Sequence, residues 1–87
     1  MASHSMHGSD LNALLALMRT KIAAEFPDAD IAVNGAGGHF NIEVVSATFE
    51  GQRTLARHRR VLRTIADLMD GAAAPVHAID SLITRTP

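Results

Sequence analysis

The chain has 87 residues, of which 47% are hydrophobic, and it carries a formal net charge of −1. A chain of this length forms one small domain with a thin core, and a net charge near zero argues against a protein that coats nucleic acid non-specifically. The sequence has no cysteine, which excludes disulfides, thiol nucleophiles and any iron–sulfur cluster held by this chain's own thiolates.

The sequence carries no membrane signal. It has no run of about 18 apolar residues, so no transmembrane helix is predicted. The N-terminus lacks the basic-then-apolar order of a signal peptide. We therefore expect a cytoplasmic protein without membrane contact. Residues 1–9 are small, polar and aperiodic, which predicts a disordered tail before a single domain over residues 10–87.

The first predicted element is an amphipathic helix. Ser9 or Asp10 can cap its first turn, because a side-chain oxygen accepts hydrogen bonds from the free amides there. Apolar side chains then recur at three- and four-residue spacing, at Leu11, Leu14, Leu15, Met18 and Ile22. Pro27 ends the helix, because it disfavours the helical conformation at Phe26.

Two predicted strands and a glycine-rich connection follow the helix. Residues 30–33 and 40–46 are rich in strand-forming side chains and predict a hairpin. The glycines of residues 34–38 then supply the positive φ angles of a tight turn. This segment also matches the G-x-x-G of nucleic-acid-binding KH modules and looks like a phosphate loop. Both interpretations fail on context, because those loops join or begin helices, whereas this one leads into a strand.

A second helix is predicted over residues 53–70, with Gly71 as its C-cap. At 100° per residue, one side of this helix carries Leu55, His58, Leu62, Ile65 and Met69, and the opposite side carries Arg53, Arg57, Arg60 and Arg63. Residues 76–83 predict a last strand. The order α-β-β-α-β predicts a two-layer α+β domain with a three-stranded sheet and both helices on one face.

Two histidines are candidate ligands. His77, at the start of the last strand, is either a ligand or only a polar boundary residue, and His39 comes near it if that strand pairs beside the hairpin. Two imidazoles are too few to hold a metal tightly without ligands from a partner. No catalytic set emerges, because strand alternation directs Asp80 away from His77 and Ser81, so we expect no enzyme.

The arginine side of the second helix is the other candidate site. Such a face can bind nucleic-acid phosphates or an acidic protein surface, and it can equally be an ordinary solvated face. No aromatic residue lies among these arginines, which weakens a model in which single-stranded bases stack there.

The order of several short motifs resembles the BolA family. These motifs lie in "GGHFNIEVVSATFEGQRTLARHRRVLRTIADLM" and "PVHAIDSLITRTP". They are the His39-Phe40 pair that opens a strand, Ser46, Phe49-x-Gly51, the run Arg57-His58-Arg59-x-Val61, the His77-Ala78 pair and Thr86-Pro87. The resemblance covers residues 30–87, and residues 11–26 fit the family's first helix.

The resemblance implies a fold like a class II KH domain and a role without catalysis. Members of the family bind monothiol glutaredoxins, with glutathione, and share a [2Fe–2S] cluster with them in iron–sulfur trafficking and in iron or stress regulation. Some bacterial members are described as DNA-binding transcriptional regulators. The histidine of the His-Ala pair, here His77, is implied as the cluster ligand of this side.

Further site residues follow from the same resemblance. Relatives with a longer hairpin loop carry a second His or Cys ligand there, and the short loop here leaves His39 as the candidate for that place. Partner contacts are expected at Gly37, Gly38, Phe40 and Ala78. Alone, the chain is expected to be a monomer or weak homodimer that holds no cluster. The alternative is a DNA-binding regulator that uses Arg53, Arg57, Arg60 and Arg63.

Overall fold

Helices and strands follow each other in the predicted order. The structure is a computed structural model, and it describes residues 8–87. The elements are α1 (Gly8–Glu25), β1 (Asp30–Ala36), β2 (His39–Val45), α2 (Thr54–Thr64) and β3 (Ala78–Arg85), with single 3₁₀ turns at Ala47–Phe49 and Ala66–Leu68. The predicted α+β class, with two helices and a three-stranded sheet, is confirmed.

The first helix starts earlier than its predicted cap. It begins at Gly8, so Asp10 lies within the first turn, where a carboxylate interacts favourably with the helix dipole. The remainder of the predicted tail, residues 1–7, lies outside the described residues. Within the described part of the chain, no helix combines the length and the apolar character needed to cross a membrane.

The sheet has β2 at its centre. Its strand order is β1-β2-β3, with β1 antiparallel and β3 parallel to β2. The register of β2 with β3 shifts by one residue between Phe40, which pairs with Ile79, and Asn41, which pairs with Ser81. Asp80 is therefore an extra residue in β3, and this bulge leaves Asp80 and Ser81 both exposed. The predicted strict alternation, with Asp80 and Ser81 on opposite sides, is wrong because of the bulge.

The turn of the hairpin is shorter than the predicted connection over residues 34–38. Gly35 and Ala36 belong to β1, and only Gly37 and Gly38 form the turn, with φ angles of 64° and 82°. Positive φ at both central residues is the condition for the hairpin turn that matches strand twist. Gly35 has a φ of 141°, and a Cβ there would lie 2.2 Å from the backbone oxygen of His39. The predicted hairpin is confirmed, and its glycines are required by conformation and close approach.

The core lies between the helices and one face of the sheet. The strands contribute Val33, Phe40, Ile42 and Val44, α1 and the residue after it contribute Met18, Ile22 and Phe26, and the rest of the chain adds Phe49, Val61, Ile65 and Val76. The other face of β2 carries the exposed side chains of His39 and Asn41. The period-two alternation of β2 thus separates a covered face from an open one.

The second helix is shorter than predicted. It ends at Thr64 instead of Asp70 and continues as the 3₁₀ turn Ala66–Leu68. The Thr64 hydroxyl donates to the carbonyl of Val61 at 2.6 Å, a local bond of the kind that competes with the regular helix. Gly71 has the predicted positive φ of 89°. It does not cap α2, which ends several residues earlier.

Candidate ligand site at the hairpin turn

His77 is attached to the hairpin through Gly38. The backbone N–H groups of His77 and Ala78 both donate to the carbonyl oxygen of Gly38, at 2.8 and 3.0 Å. The imidazole also lies against Gly38, because a Cβ on that glycine would come within 3.0 Å of His77 Cγ. Gly38 therefore fixes the position of His77 twice, through its carbonyl and through its missing side chain.

The imidazole of His77 is available to bind a metal. His77 is exposed, and its ring has no hydrogen-bond or ion-pair partner within residues 8–87. An exposed, neutral imidazole without a competing partner can donate the lone pair of a ring nitrogen to a metal.

His39 directly follows Gly38 in the sequence. It pairs with Ala78 at the start of the β2–β3 ladder, and its side chain is 57% exposed. Its Nδ1 atom lies 3.0 Å from Oδ1 of Asp80. Gly38 thus lies between the two predicted ligands, as the chain neighbour of His39 and as the surface against which the His77 ring packs.

The predicted partner contacts are divided by exposure. Gly37 is exposed at the tip of the turn, and Gly38 and Ala78 are half-buried beside it. Phe40 is only 1% exposed, so its prediction as a partner contact is wrong. Alternation along β2 points the Phe40 side chain into the core, on the side opposite to His39.

The donor set of the described residues is small. No group of three or more His, Cys, Asp or Glu side chains in residues 8–87 could hold a metal ion. The site offers single imidazole nitrogens, a donor type that occurs in [2Fe–2S] centres where histidine replaces cysteine. These side chains could therefore supply one ligand to a metal group whose other ligands come from another molecule.

A family model decides the relationship of the chain. The model described as BolA-like protein matches residues 11–87. The chain belongs to the BolA-like family. This confirms the resemblance of its motifs.

Relatives and solved structures agree with this BolA-like assignment. The chain is 36% identical over 58 residues, 67% of its own length, to a protein of Acinetobacter guillouiae known as the uncharacterized protein in the rpoN-murA intergenic region, and covers 68% of that protein. It is 43% identical over 53 residues to human BolA-like protein 1, which is 61% of this chain and 36% of the human protein.

Two BolA1 structures share its fold. The solution structure of BolA1 from Mus musculus superposes with a TM-score of 0.75 at 28% identity, over 100% of this chain and 76% of that one. BolA1 from Arabidopsis thaliana gives 0.72 at 28% identity, over 84% of this chain and 90% of that one.

The arginines of α2 in this BolA-like chain do not form the predicted outward side. The guanidinium carbon of Arg60 lies 4.7 Å from the ring centroid of Phe26, and that of Arg57 lies 5.6 Å from the centroid of Phe49. Arg57 Nε donates to the carbonyl of Gln52 at 2.8 Å. The prediction of an outward side is therefore wrong for Arg57 and Arg60, whose stems pack inward and whose charged ends lie on aromatic faces.

The exposed arginines of α2 and its N-cap are only partly the predicted ones. Arg53, Arg59 and Arg63 are exposed. Leu55, predicted on the apolar side, is 61% exposed, whereas Val61 is fully buried. The core side of α2 is thus rotated from the predicted one, and only Arg53 and Arg63 of the four arginines offered for DNA binding face solvent.

A second polar network lies at the far end of β2, where sequence analysis indicated no site. The Asp28 carboxylate accepts from the backbone N–H of Ala47 at 2.9 Å and from the Ser46 hydroxyl at 2.9 and 3.0 Å. These bonds, that of Ala47 above all, lower the pKa of Asp28 below its ordinary value. Ser46 also accepts from the Thr48 N–H and caps the 3₁₀ turn. A serine before a turn is the sequence signal that could have indicated this cap.

Proposed function

We propose that this BolA-like chain is a non-enzymatic adaptor that binds a monothiol glutaredoxin and supplies His77 as a ligand to a [2Fe–2S] cluster shared with it. The observation that carries the proposal is the exposed imidazole of His77, held by Gly38 and free of hydrogen-bond partners within residues 8–87. The family implied by the motifs gives the partner its chemical class.

The chemistry of the chain is consistent with a divided ligand set. The sequence has no cysteine, so in this proposal the thiolates come from glutaredoxin and glutathione, and an imidazole comes from this chain. The cluster is cargo that passes between proteins, in iron–sulfur trafficking or in iron and stress regulation in the cytoplasm. A histidine ligand is also expected to raise the cluster potential relative to an all-thiolate set.

Gly38 has a defined part in this proposal. Its carbonyl holds the backbone at His77 and Ala78, and its lack of a side chain leaves room for the imidazole. The ring is therefore oriented before a partner arrives, which reduces the ordering cost of binding. The exposed Gly37 beside it allows a partner to approach the turn closely.

The proposal is tested by mixing this chain with a monothiol glutaredoxin that carries its cluster. Visible absorption and circular dichroism report on the cluster, and native mass spectrometry reports on the size of the complex. We expect a 1:1 complex whose visible spectrum differs from that of glutaredoxin alone. Absence of a complex and of any spectral change would refute the adaptor role.

The ligand role of His77 is tested by H77A in the same mixture. Because His77 is exposed, H77A is expected to fold like the parent chain and to alter the visible circular dichroism of the complex. H58Q is the matched control, since it removes an imidazole from α2, away from the hairpin turn. A spectrum that H77A leaves unchanged contradicts ligation by His77.

A further inference from the structure

His39 and Asp80 form a pair that links β2 to β3 on the open side of the sheet. His39 Nδ1 and Asp80 Oδ1 are 3.0 Å apart, and their side chains are 57% and 54% exposed. The two residues are separated by 41 positions in the sequence, so the contact is created by the fold. The second predicted ligand thus has a carboxylate partner, whereas His77 has none within the described residues.

The bulge in β3 places Asp80 beside His39. His39 pairs with Ala78, Phe40 with Ile79, and Asn41 with Ser81, so Asp80 has no pairing partner of its own in β2. Bulges in sheets redirect side chains and recur next to functional sites. Here the extra residue carries the carboxylate that contacts the imidazole.

This contact determines which nitrogen of His39 is free. An ionised carboxylate only accepts hydrogen bonds, so the proton of the bond must be on Nδ1 of His39. In a neutral imidazole protonated at Nδ1, the lone pair available to a metal is on Nε2. Metal-ligating histidines in proteins are oriented in this way by a carboxylate on the opposite ring nitrogen.

We propose that Asp80 is a positioning residue that holds His39 as its Nδ1–H tautomer, so that His39 presents Nε2 as a ligand to iron carried by the partner. The ligand half of this inference rests on the proposed function, whereas the tautomer half concerns the chain alone. The two histidines are then oriented by different means, His77 by packing against Gly38 and His39 by a charged hydrogen bond.

The tautomer half is tested by nitrogen NMR of the cluster-free protein at neutral pH. Imidazole ¹⁵N shifts assign the proton of each histidine, and His77 serves as an internal reference. We expect His39 to be mainly protonated at Nδ1, and D80A to lower the Nδ1–H to Nε2–H ratio by about two- to fivefold, the size expected for a pair that is exposed to water. S81A, on the same exposed side, is expected to leave the ratio unchanged.

The conservative variant D80N separates positioning from stability. Its amide oxygen can still accept from Nδ1–H, but its NH2 group can also donate to an unprotonated Nδ1, so the Nδ1–H population of D80N is expected to lie between those of the parent chain and D80A. An equal mixture of tautomers at His39 in the parent chain, or the same ratio in D80A as in the parent, would overturn the inference. Because the pair is exposed, all these variants are expected to fold.

The ligand half is tested with the glutaredoxin mixture. D80A is expected to change the visible circular dichroism in the same direction as H39A, D80N to change it less, and S81A not at all. If H77A alters the spectrum while D80A and H39A do not, the proposed function stands and His39 is not the ligand that Asp80 presents. If the parent chain forms no complex, the proposed function and the ligand half fail together, and NMR alone decides the tautomer half.

Discussion

Replacement of Arg60 by alanine should destabilise the fold far more than the same replacement at Arg63. Sequence analysis puts both arginines on one outward side of α2, whereas the structure separates them. The Arg60 guanidinium covers the Phe26 ring at 4.7 Å, donates to Oε1 of Gln52 at 3.0 Å and lies 3.3 Å from a carboxylate oxygen of Glu25. Arg63 is exposed in the last turn of α2.

The size of the difference follows from these contacts. A cation–π contact that is partly shielded from water contributes about 1–2 kcal/mol, a hydrogen bond from a charged donor about 1.5 kcal/mol or more, and the exposed Glu25 pair less than about 1 kcal/mol. Because contacts of one side chain do not add fully, we expect R60A to lower the free energy of unfolding by about 2–3 kcal/mol. R63A should change it by no more than about 0.5 kcal/mol.

Urea unfolding followed by far-ultraviolet circular dichroism measures both variants, since the chain has no Trp or Tyr for intrinsic fluorescence. A loss of that size in a domain this small also lowers the melting temperature by on the order of 10–20 °C. R60K keeps the charge without the planar guanidinium, and it should lie between R60A and the parent chain. Equal losses for R60A and R63A would refute the inward placement of Arg60.

Three further changes test other parts of the structure. G35A should lower the free energy of unfolding by more than about 3 kcal/mol and disrupt the hairpin, because its Cβ would lie 2.2 Å from a backbone oxygen. The Cβ of G37A meets open space, so this variant should lower it by only about 1 kcal/mol. Similar urea midpoints for the two variants would contradict this difference. The folded-state pKa of Asp28 lies below the ordinary 3.8, so its carboxylate stabilises the fold above that pH and loses this effect as the pH falls through the folded-state value. The melting temperature of D28N should therefore fall less below about pH 4 than that of the parent chain. An equal fall in both proteins would argue against the network. L55Q should leave the urea midpoint nearly unchanged because Leu55 is 61% exposed, and a large shift would show that Leu55 packs in the core.

The order and type of the elements could be predicted because they depend on local signals. Hydrophobic spacing, Pro27 and the glycines each act through the conformation of the residues beside them. The orientation of α2 could not be predicted in this way, because it depends on rings that come from other parts of the chain. Phe26 follows α1 and Phe49 lies in a 3₁₀ turn, and together they make arginine a favourable neighbour on the core side.

The candidate site was predictable only in part for the same reason. The motif resemblance indicates His77 and His39, and the structure brings both to Gly38. The contact of Asp80 with His39 depends on a one-residue bulge that no local sequence pattern in β3 predicts. Strict alternation along that strand leads instead to the wrong expectation for Asp80 and Ser81.

The ligand site and the stabilising contacts lie at opposite ends of β2. His39 opens the strand beside the turn, and Val45 ends it just before the Asp28 network and the ring of Phe49. Seven residues at the rise of a strand span about 20 Å, a distance at which substitutions act independently. Variants at the turn should therefore leave the stabilising contacts at the other end of β2 intact. Variants of Arg60 should lower stability without altering the cluster spectrum at temperatures where the protein remains folded.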